Sequence, residues 1–300
     1  MTPSSLLGFA VETSEPLTLD AGPPLSEMYT LSPFVWEDGG RWEMLVRAVP
    51  RRDDEPALKI ACAYYGVSED GLRFVMDDAP AIAASPDALD RDGCEDPTVA
   101  IWNGTYYVYY TGWNQGKMQG NLLLASGPDP RHLTKRGVYL AATPAVDNPK
   151  EATIVSVPDG TWRLFFEYAE GGASKICIAS APSVDGPWTA GASLFTARPD
   201  HWDAWHLSTG PMLQSDPDRP VMFYNGATRD AHWRIGWVAF DAEYTRVVDR
   251  CDEPLIVPPT PQADYTDIAF AASAVEADDA IFLYYSIADR DMVRAKIRRL

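Results

Sequence analysis

Basic residues are scarce in this sequence: 25 Lys and Arg stand against 43 Asp and Glu, so the formal net charge is −18. Nucleic acids and anionic membrane surfaces need clustered positive charge, so this composition makes both poor partners. The one short basic cluster lies near the C-terminus, where Arg294, Lys296 and Arg298 alternate with apolar residues. This alternation predicts a half-exposed final strand.

Long apolar runs and regular cysteine spacings are also missing. No stretch approaches the roughly 18 apolar residues of a membrane span, and the N-terminus lacks the basic start and long apolar segment of a signal peptide. We therefore expect a cytoplasmic protein without membrane contact. The four cysteines have no CxxC spacing, which argues against zinc and against a disulfide framework. Reduced thiols are expected, with no metal and no cofactor.

A helical period of 3.6 residues is absent, whereas a turn followed by an aromatic, β-rich segment recurs about every sixty residues. Further short apolar segments flank each of these, bounded by Gly, Pro, Asp and Asn, so each repeat predicts several strands. The recurring turns begin at Gly39, Asn103, Asp159, Asp218 and Asp278. The sequence therefore predicts an all-β protein, a five-bladed β-propeller in which residues 1–300 form a single domain.

The first strand of each propeller blade lines a central channel, so the residues that begin these strands should face one shared pocket. The N-terminal segment 7–19 is predicted to add a strand to the last blade. The residues expected at the mouth of the pocket are Ser32, Glu95, Asp96, Lys150, Glu151, Ser208, Thr209, Asp264 and Asp267. The ends of the second strands should add Arg47, Thr111, Trp113, Asn114, Glu167, Tyr168, Asn225, Arg229, Ser286 and Asp289.

Carboxylates at the ends of apolar strands suggest chemistry, because an unpaired buried charge is costly and a solvated one contributes little to stability. Cleavage of a glycosidic bond requires two carboxyl groups across a pocket: one protonates the leaving oxygen, and the other activates water or attacks the anomeric carbon. Trp113 and Tyr168 could provide flat faces for sugar rings. Arg47, Asn225 and Arg229 could bind hydroxyl groups, as could Asn114.

Each acidic candidate also has a structural alternative. Asp96 could cap the turn that it begins, and Glu95 could orient its neighbours. Glu151 could pair with the adjacent Lys150, and Glu167 could form a buried salt bridge with the same lysine or with Arg163. The histidines, His206 among them, lack metal-ligand spacing, so packing or contact with a sugar is favoured over zinc binding.

Several stretches resemble glycoside hydrolase family 130, five-bladed propellers that act on β-mannosides by phosphorolysis or by inverting hydrolysis. The matching segments are MLVRA (44–48), GCEDPTVAIWNGTYYVYYTG (93–112), PKEATIVSVPDGTWRLFFE (149–167), LSTGPML (207–213), VVDRCDEPLIVP (247–258) and LYYSIAD (283–289). The resemblance implies that Asp96 is the proton donor to the glycosidic oxygen, in the phosphorylases through a substrate hydroxyl. It also implies that Glu95 helps to hold the sugar in the −1 position.

The sequence departs from the phosphate-binding pattern of this family. EDPR reads EDPT here, no Arg follows the YYTG strand, and Glu167 with Tyr168 replaces a His, although Lys150 is kept. The loss of basic residues and the gain of a carboxylate favour an inverting hydrolase. Its base would be Glu167, with Glu151 second and Asp267 third, and two carboxyl groups about 6.5–9.5 Å apart would leave room for water.

The sequence therefore predicts a glycosidase for a small β-mannoside or related oligosaccharide, with Asp96 as general acid. Its pKa should be raised by Glu95 and partial burial. Three alternatives stay open: a phosphorylase that binds phosphate through Lys150, Arg47 and Arg229, a non-catalytic sugar-binding propeller, and a family 43 enzyme. A homo-oligomer is also left open. The predicted substrate-binding residues are Glu95, Arg47, Trp113, Asn114, Lys150, Tyr168, His206, Asn225, Arg229, Asp267 and Asp289.

Overall fold

The computed structural model describes residues 7–51, 60–86, 88–259, 266–277 and 280–300. The described part of the chain is built from β-strands and has only short 3-10 turns as helical structure, which confirms the all-β prediction. It has no helix long and apolar enough to cross a membrane. Asp264 and the predicted turn at Asp278 lie outside the described residues.

The first half of the chain forms two sheets in which most neighbouring strands are antiparallel and successive along the chain. The first sheet has the order β2-β6-β5-β4-β3, and its strands are β2 (Thr18–Asp20), β3 (Met28–Asp38), β4 (Arg41–Pro50), β5 (Cys62–Ser68) and β6 (Arg73–Ile82). Within it, only β2 pairs in a parallel manner, with β6. The second sheet comprises β7 (Gly93–Trp102), β8 (Thr105–Asn114), β9 (Gln119–Gly127) and β10 (Thr134–Leu140).

The third and last sheets follow the same plan. The third has β11 (Asp147–Ser156), β12 (Trp162–Glu170), β13 (Ala173–Ala181) and β14 (Thr189–Ala190). The last combines β22 (Ala269–Ala277), β23 (Ala280–Ile287) and β24 (Asp291–Arg299) with the N-terminal strand β1 (Phe9–Pro16). Since β1 pairs with β24, the predicted addition of an N-terminal strand to the last sheet is confirmed. The final strand predicted at the C-terminus is likewise present as β24.

Between the third and the last sheet along the chain, the fourth repeat is divided into two short sheets. One contains β15 (His206–Ser208), β18 (Asn225–Ala227) and β19 (Trp233–Ile235); the other contains β16 (Met212–Leu213), β17 (Val221–Met222), β20 (Val238–Phe240) and β21 (Val247–Arg250). Backbone pairing continues across the break, because Phe223 donates its N–H to Pro211 at 2.9 Å and Gly236 donates to Tyr224 at 3.0 Å. The chain therefore has five sequential groups of strands, of which the fourth is interrupted.

Residues in or next to the first strands of all five groups (β3, β7, β11, β15 with β16, and β22) line adjoining cavities, which together form a narrow channel. A constriction of about 20 Å³ joins a cavity at one end to a cavity of about 160 Å³ at the other. Thr98 and Thr153 border both the constriction and the larger cavity. Small and β-branched residues, among them Thr98, Thr153, Gly210 and Ala271, border the constriction. The apolar core lies between the sheets, where aromatic residues such as Tyr109, Phe165 and Phe223 are almost fully buried.

Candidate active site

The opposite end of the channel opens into a cavity of about 150 Å³ that collects the predicted carboxylates and cations. This volume is small beside the roughly 300–1,000 Å³ typical of sites for drug-sized ligands, so it suits one sugar unit or a smaller group. The cavity is lined by Leu31, Ser32, Arg47, Asp96, Lys150, Glu151, Glu167, Trp233, Ile268, Phe270, Ser286 and Asp289. Of the predicted site residues, Asp96, Glu151, Glu167, Arg47, Lys150 and Asp289 are therefore brought together.

Bulges in the first strands turn three of these side chains into the cavity. Pairing shifts register between Leu31 and Phe34, between Glu95 and Thr98, and between Lys150 and Thr153. The bulged residues Ser32, Asp96 and Glu151 have φ values of 51°, 49° and 51°. A left-handed conformation in a non-glycine residue costs about 1–3 kcal/mol and persists only where the surrounding structure enforces it. The three first strands thus hold strain at the same point of each repeat, where the polar side chains meet.

Asp96 lies among hydrogen-bond donors. Ser32 donates its Oγ–H to Asp96 Oδ1 at 2.7 Å, and Arg47 Nη1 lies 3.2 Å from the same oxygen. Burial alone would raise the pKa of Asp96, but Arg47 and the hydroxyl of Ser32 outweigh it and hold the pKa below its usual value. The prediction that the pKa of Asp96 is raised is therefore wrong for the ligand-free protein, because the sequence could not show these two donors.

Glu151 has the opposite environment. Its pKa is raised well above the usual value, first by burial and then by the negative charges of Asp96 and Glu167, although Lys150 opposes the shift. The carboxyl groups of Glu151 and Asp96 interact: Asp96 raises the pKa of Glu151, and Glu151 lowers the pKa of Asp96. Two adjacent carboxyl groups of this kind titrate as a pair and share one proton. Within this pair the pKa of Asp96 is lowered and that of Glu151 is raised.

Lys150 and Glu167 form an ion pair across strands β11 and β12. Lys150 Nζ lies 3.2 Å from Glu167 Oε1, and Glu167 is almost fully buried. Glu167 is the main cause that raises the pKa of Lys150, so the lysine stays charged. The structural alternative for Glu167, a salt bridge with this lysine, is therefore present, and Glu167 lines the cavity at the same time.

Glu95 and Asp289 are two further carboxyl groups close to Asp96. Glu95 Oε1 lies 2.7 Å from Arg47 Nη2, which fits the orienting role considered for it. Burial raises the pKa of both Glu95 and Asp289, and the nearby carboxylate of Asp96 adds to this effect. The positive charge of Arg47 opposes this rise in both cases, so Arg47 interacts with several carboxyl groups at once.

Two predicted substrate-binding residues from the second sheet do not line the cavity. Asn114 is buried and caps a 3-10 turn, where its Oδ1 accepts the backbone N–H of Lys117 at 3.0 Å. Trp113 donates its indole N–H to Gln115 at 3.0 Å within the same loop. Tyr168, from the third sheet, packs against a neighbouring apolar cluster. These side chains follow the strand ends as predicted but turn away from the channel.

The remaining predicted site residues lie in the fourth and fifth groups of strands. Asn225 is fully buried and binds only backbone: it donates to Thr209 and Ala271 carbonyls at 2.6 and 3.1 Å and accepts the N–H of Ala271 at 2.7 Å. This amide joins adjacent first strands and is structural. Arg229 is exposed and lies over the Trp205 ring at 4.7 Å. Asp267, the third candidate base, is instead paired with Arg234 at 2.8 Å.

Sequence reasoning missed the apolar wall of the cavity. Trp233 and Phe270 pack edge to face with ring centroids 5.3 Å apart, and both line the cavity. His206 packs on Trp233 with centroids 5.6 Å apart. Its Nδ1 accepts the backbone N–H of Ser174, so Nε2 carries the proton when the ring is neutral. Trp233 follows a turn that carries no motif, so only its place beside the mouth of the channel reveals it.

Comparison with known proteins identifies the family. A sequence model described as beta-1,4-mannooligosaccharide phosphorylase matches residues 56–299. The chain belongs to glycoside hydrolase family 130. Membership makes it an enzyme that acts on glycosidic bonds. Among the described residues, no group of three or more His, Cys, Asp and Glu side chains could hold a metal ion.

Several characterised proteins are similar to this family 130 chain. A 1,2-beta-oligomannan phosphorylase of Thermoanaerobacter sp. (strain X514) is 26% identical over 265 residues, which cover 84% of each chain. A beta-1,2-mannobiose phosphorylase of the same strain is 24% identical over 246 residues, with 78% of this chain and 76% of the relative covered. Both relatives are named as phosphorylases of β-linked mannosides.

Solved structures share the fold. The beta-1,2-mannobiose phosphorylase of Listeria innocua, in complex with beta-1,2-mannobiose, superposes with a TM-score of 0.79 at 18% identity and 92% coverage of each chain. A second structure has a TM-score of 0.79 at 22% identity and covers 99% of this chain and 95% of its own. It is described as showing that the mannoside phosphorylase family contains glycoside hydrolases that target beta-1,2 mannosidic linkages in Candida mannan.

Proposed function

We propose that the protein cleaves a β-mannosidic bond in a small mannoside by phosphorolysis. Its named relatives are β-mannoside phosphorylases, so they support phosphorolysis better than the hydrolysis that the sequence favoured. We further propose that residues 1–300 fold as one five-bladed propeller. The convergence of all five groups of first strands on one channel supports this arrangement.

In this reaction a phosphate oxygen bonds to the anomeric carbon while the bond from that carbon to the glycosidic oxygen breaks. The departing oxygen takes a proton, and attack from the opposite face gives α-mannose 1-phosphate. One observation carries the proposal: two carboxyl groups whose pKa values shift in opposite directions, Asp96 and Glu151, share a cavity with two cations, Arg47 and Lys150. The pair supplies the proton, and the cations can neutralise phosphate through charge-assisted hydrogen bonds.

Inverting hydrolysis is the second candidate, and a specific observation favours it. Four carboxyl groups line the cavity against two cations, and both cations already contact carboxylates. Glu167 adds a carboxylate that could act as base towards water. A cavity with this balance is less favourable for a phosphate dianion than for water, because like charges repel.

The two reactions differ in product and in their need for phosphate. The test is to incubate the purified protein with β-mannobiose of defined linkage, with and without phosphate, and to measure mannose and α-mannose 1-phosphate. Phosphorolysis predicts the sugar phosphate and activity only with phosphate. Free mannose at the same rate without phosphate would establish hydrolysis. If the folded protein forms neither product from any β-mannoside, both proposals are wrong.

The variant Glu167→Gln sharpens this distinction. A phosphorylase should keep its turnover within a few-fold and bind phosphate with a lower KM, because the cavity loses a negative charge. A hydrolase that uses Glu167 as base should lose about 10²–10⁴-fold in kcat. Glu170→Gln is a matched control, since Glu170 lies on the same strand but is exposed and pairs with Lys175.

Asp96→Asn distinguishes either enzyme from a non-catalytic sugar-binding protein. An enzyme should lose turnover in this variant while it still binds mannoside, as measured by calorimetry. A binding protein has no turnover to lose.

A further inference from the structure

A row of aromatic rings begins at the wall of the cavity. Trp233, which lines the cavity, packs on His206 with ring centroids 5.6 Å apart, and His206 meets the ring of Trp205 at 6.5 Å. All three residues are half-buried. We call Trp205, His206 and Trp233 the aromatic row. Because each ring contacts the next, the row forms one partly exposed surface that starts inside the cavity.

The course of the backbone shows that the aromatic row runs outwards. Thr209 and Gly210 border the constriction at the inner end of the cavity, and Trp205 lies four residues before Thr209. An extended chain advances about 3.3 Å per residue, so Trp205 lies roughly 13 Å further out. The cavity of about 150 Å³ holds one sugar unit. The rest of a longer substrate must therefore lie outside the cavity, where the row ends.

Hydrogen bonds hold the outer rings in place before any ligand binds. The indole N–H of Trp205 donates to the carbonyl of Gly172 at 3.2 Å, in the turn between β12 and β13, and its backbone N–H donates to Ala227 at 2.9 Å. The ring of His206 is fixed by the N–H of Ser174 at 3.0 Å. A surface that is already ordered loses little conformational entropy when it binds a ligand.

Trp205 differs from the nearest tryptophan along the chain. Trp202 packs against the apolar core and stacks on Tyr224 with centroids 5.4 Å apart, whereas Trp205 contacts His206 and the guanidinium of Arg229, 4.7 Å from its ring centroid. An aromatic ring can pack against the C–H groups of a pyranose and bury their apolar surface. A guanidinium beside it can donate hydrogen bonds to sugar hydroxyl groups.

We propose that Trp205 and Arg229 form a second sugar subsite, outside the cavity, that binds the far part of a β-mannoside chain of three or more units. This inference rests on the proposed cleavage of a mannoside. The terminal unit occupies the cavity beside Trp233, and the chain follows the aromatic row outwards. Trp205 is two ring contacts from Trp233, so the third unit is the first that reaches it. The subsite therefore selects substrates by chain length.

The test compares β-mannobiose with β-mannotriose in the wild type, Trp205→Ala and Trp205→Phe. The wild type should have the lower KM for β-mannotriose. Trp205→Ala should raise this KM about tenfold relative to that for β-mannobiose, with less effect on kcat, because the lost contact is made equally in the ground and transition states. Trp205→Phe keeps an aromatic face and should retain most of the preference. Trp102→Ala is the control, since Trp102 is 47% exposed at the end of β7 remote from Asp96.

Two results would overturn the proposal. One is a wild type that does not distinguish the two substrates, or a Trp205→Ala variant that keeps the wild-type ratio of the two KM values. The other is an equal loss on both substrates in Trp205→Ala, because damage to the fold of the site affects every substrate alike. A smaller loss of the preference in Arg229→Gln, which keeps donors but no charge, would support the subsite, whereas a wild-type preference in this variant would remove Arg229 from it.

A binding measurement separates this inference from the proposed function. Calorimetry with β-mannobiose and β-mannotriose, of β-1,2 and β-1,4 linkage, is carried out on Asp96→Asn with and without Trp205→Ala. Tighter binding of the trisaccharide that disappears with Trp205→Ala supports the subsite even if the wild-type protein cleaves no mannoside. Equal affinities for the two lengths in Asp96→Asn would refute the subsite even if the wild type is an active phosphorylase.

Discussion

Arg47 offers the sharpest test of how the acidic site is held together. Its guanidinium lies 2.7 Å from Glu95 and 3.2 Å from Asp96, and its side chain is 21% exposed. Arg47→Met keeps most of the packing volume but leaves two carboxylates without their cation. Removal of one partner from a buried pair costs about 3–5 kcal/mol, and the partial exposure of Arg47 reduces our expectation to about 2–3 kcal/mol at neutral pH.

The loss should depend on pH with a defined sign. Arg47 keeps the pKa of Asp96 low, so its contribution is complete above the ordinary Asp pKa and disappears as the pH falls through the folded-state pKa. In the variant the carboxyl groups take up protons at higher pH, which relieves their repulsion. The difference in unfolding free energy between wild type and Arg47→Met should therefore shrink between about pH 7 and about pH 5.

Urea unfolding followed by tryptophan fluorescence at the two pH values measures this difference. Arg73→Met is the control: Arg73 pairs with Asp20 at 2.9 Å, but the two side chains are 67% and 56% exposed. A surface pair of this kind contributes about 0–1 kcal/mol, so this variant should change little at either pH. An Arg47→Met protein as stable as the wild type at neutral pH, or a loss that grows on acidification, would refute the reasoning.

Two further predictions concern the structural frame of the channel. Gly210→Ala should destabilise the protein by about 1–3 kcal/mol or more in urea unfolding, because a Cβ there would lie 1.9 Å from the carbonyl oxygen of Phe223; a wild-type midpoint would contradict this packing. Asn225→Asp should also lower the Tm, and less so at acidic pH, because a carboxylate would face two carbonyl oxygens that the amide now binds. A variant with wild-type Tm but altered mannoside affinity would instead return Asn225 to the substrate site.

Much of the architecture could be predicted from the sequence because it rests on local pattern. The turn at Asn103 and the aromatic, β-rich segment that follows it predicted β8, and the turn at Asp159 predicted β12 in the same way. The interruption of the fourth repeat was not predicted. It arises where Gly210 and Phe223 approach closely, and such an approach between residues distant in sequence leaves no periodic signal.

The site shows the same division. The sequence selected Asp96, Glu151, Glu167 and Lys150 because polar residues at the ends of apolar strands are conspicuous. It could not tell which strand ends turn inwards, so Asn114 and Trp113 were assigned to the cavity alongside them. Their side chains form hydrogen bonds within the turn that follows β8. Successive side chains of a strand point to opposite faces, so a shift of one residue moves a side chain from one face to the other.

By itself, the sequence determined an all-β chain of five repeats, the family to which it belongs and the set of acids from which the site is drawn. All of these depend on residue type and spacing. Only the tertiary structure decided which acids have a raised pKa and which a lowered one. The pKa of a carboxyl group depends on its burial and on partners such as Ser32, Arg47 and Lys150, which come from other strands and reach the acids only when the sheets meet at the channel.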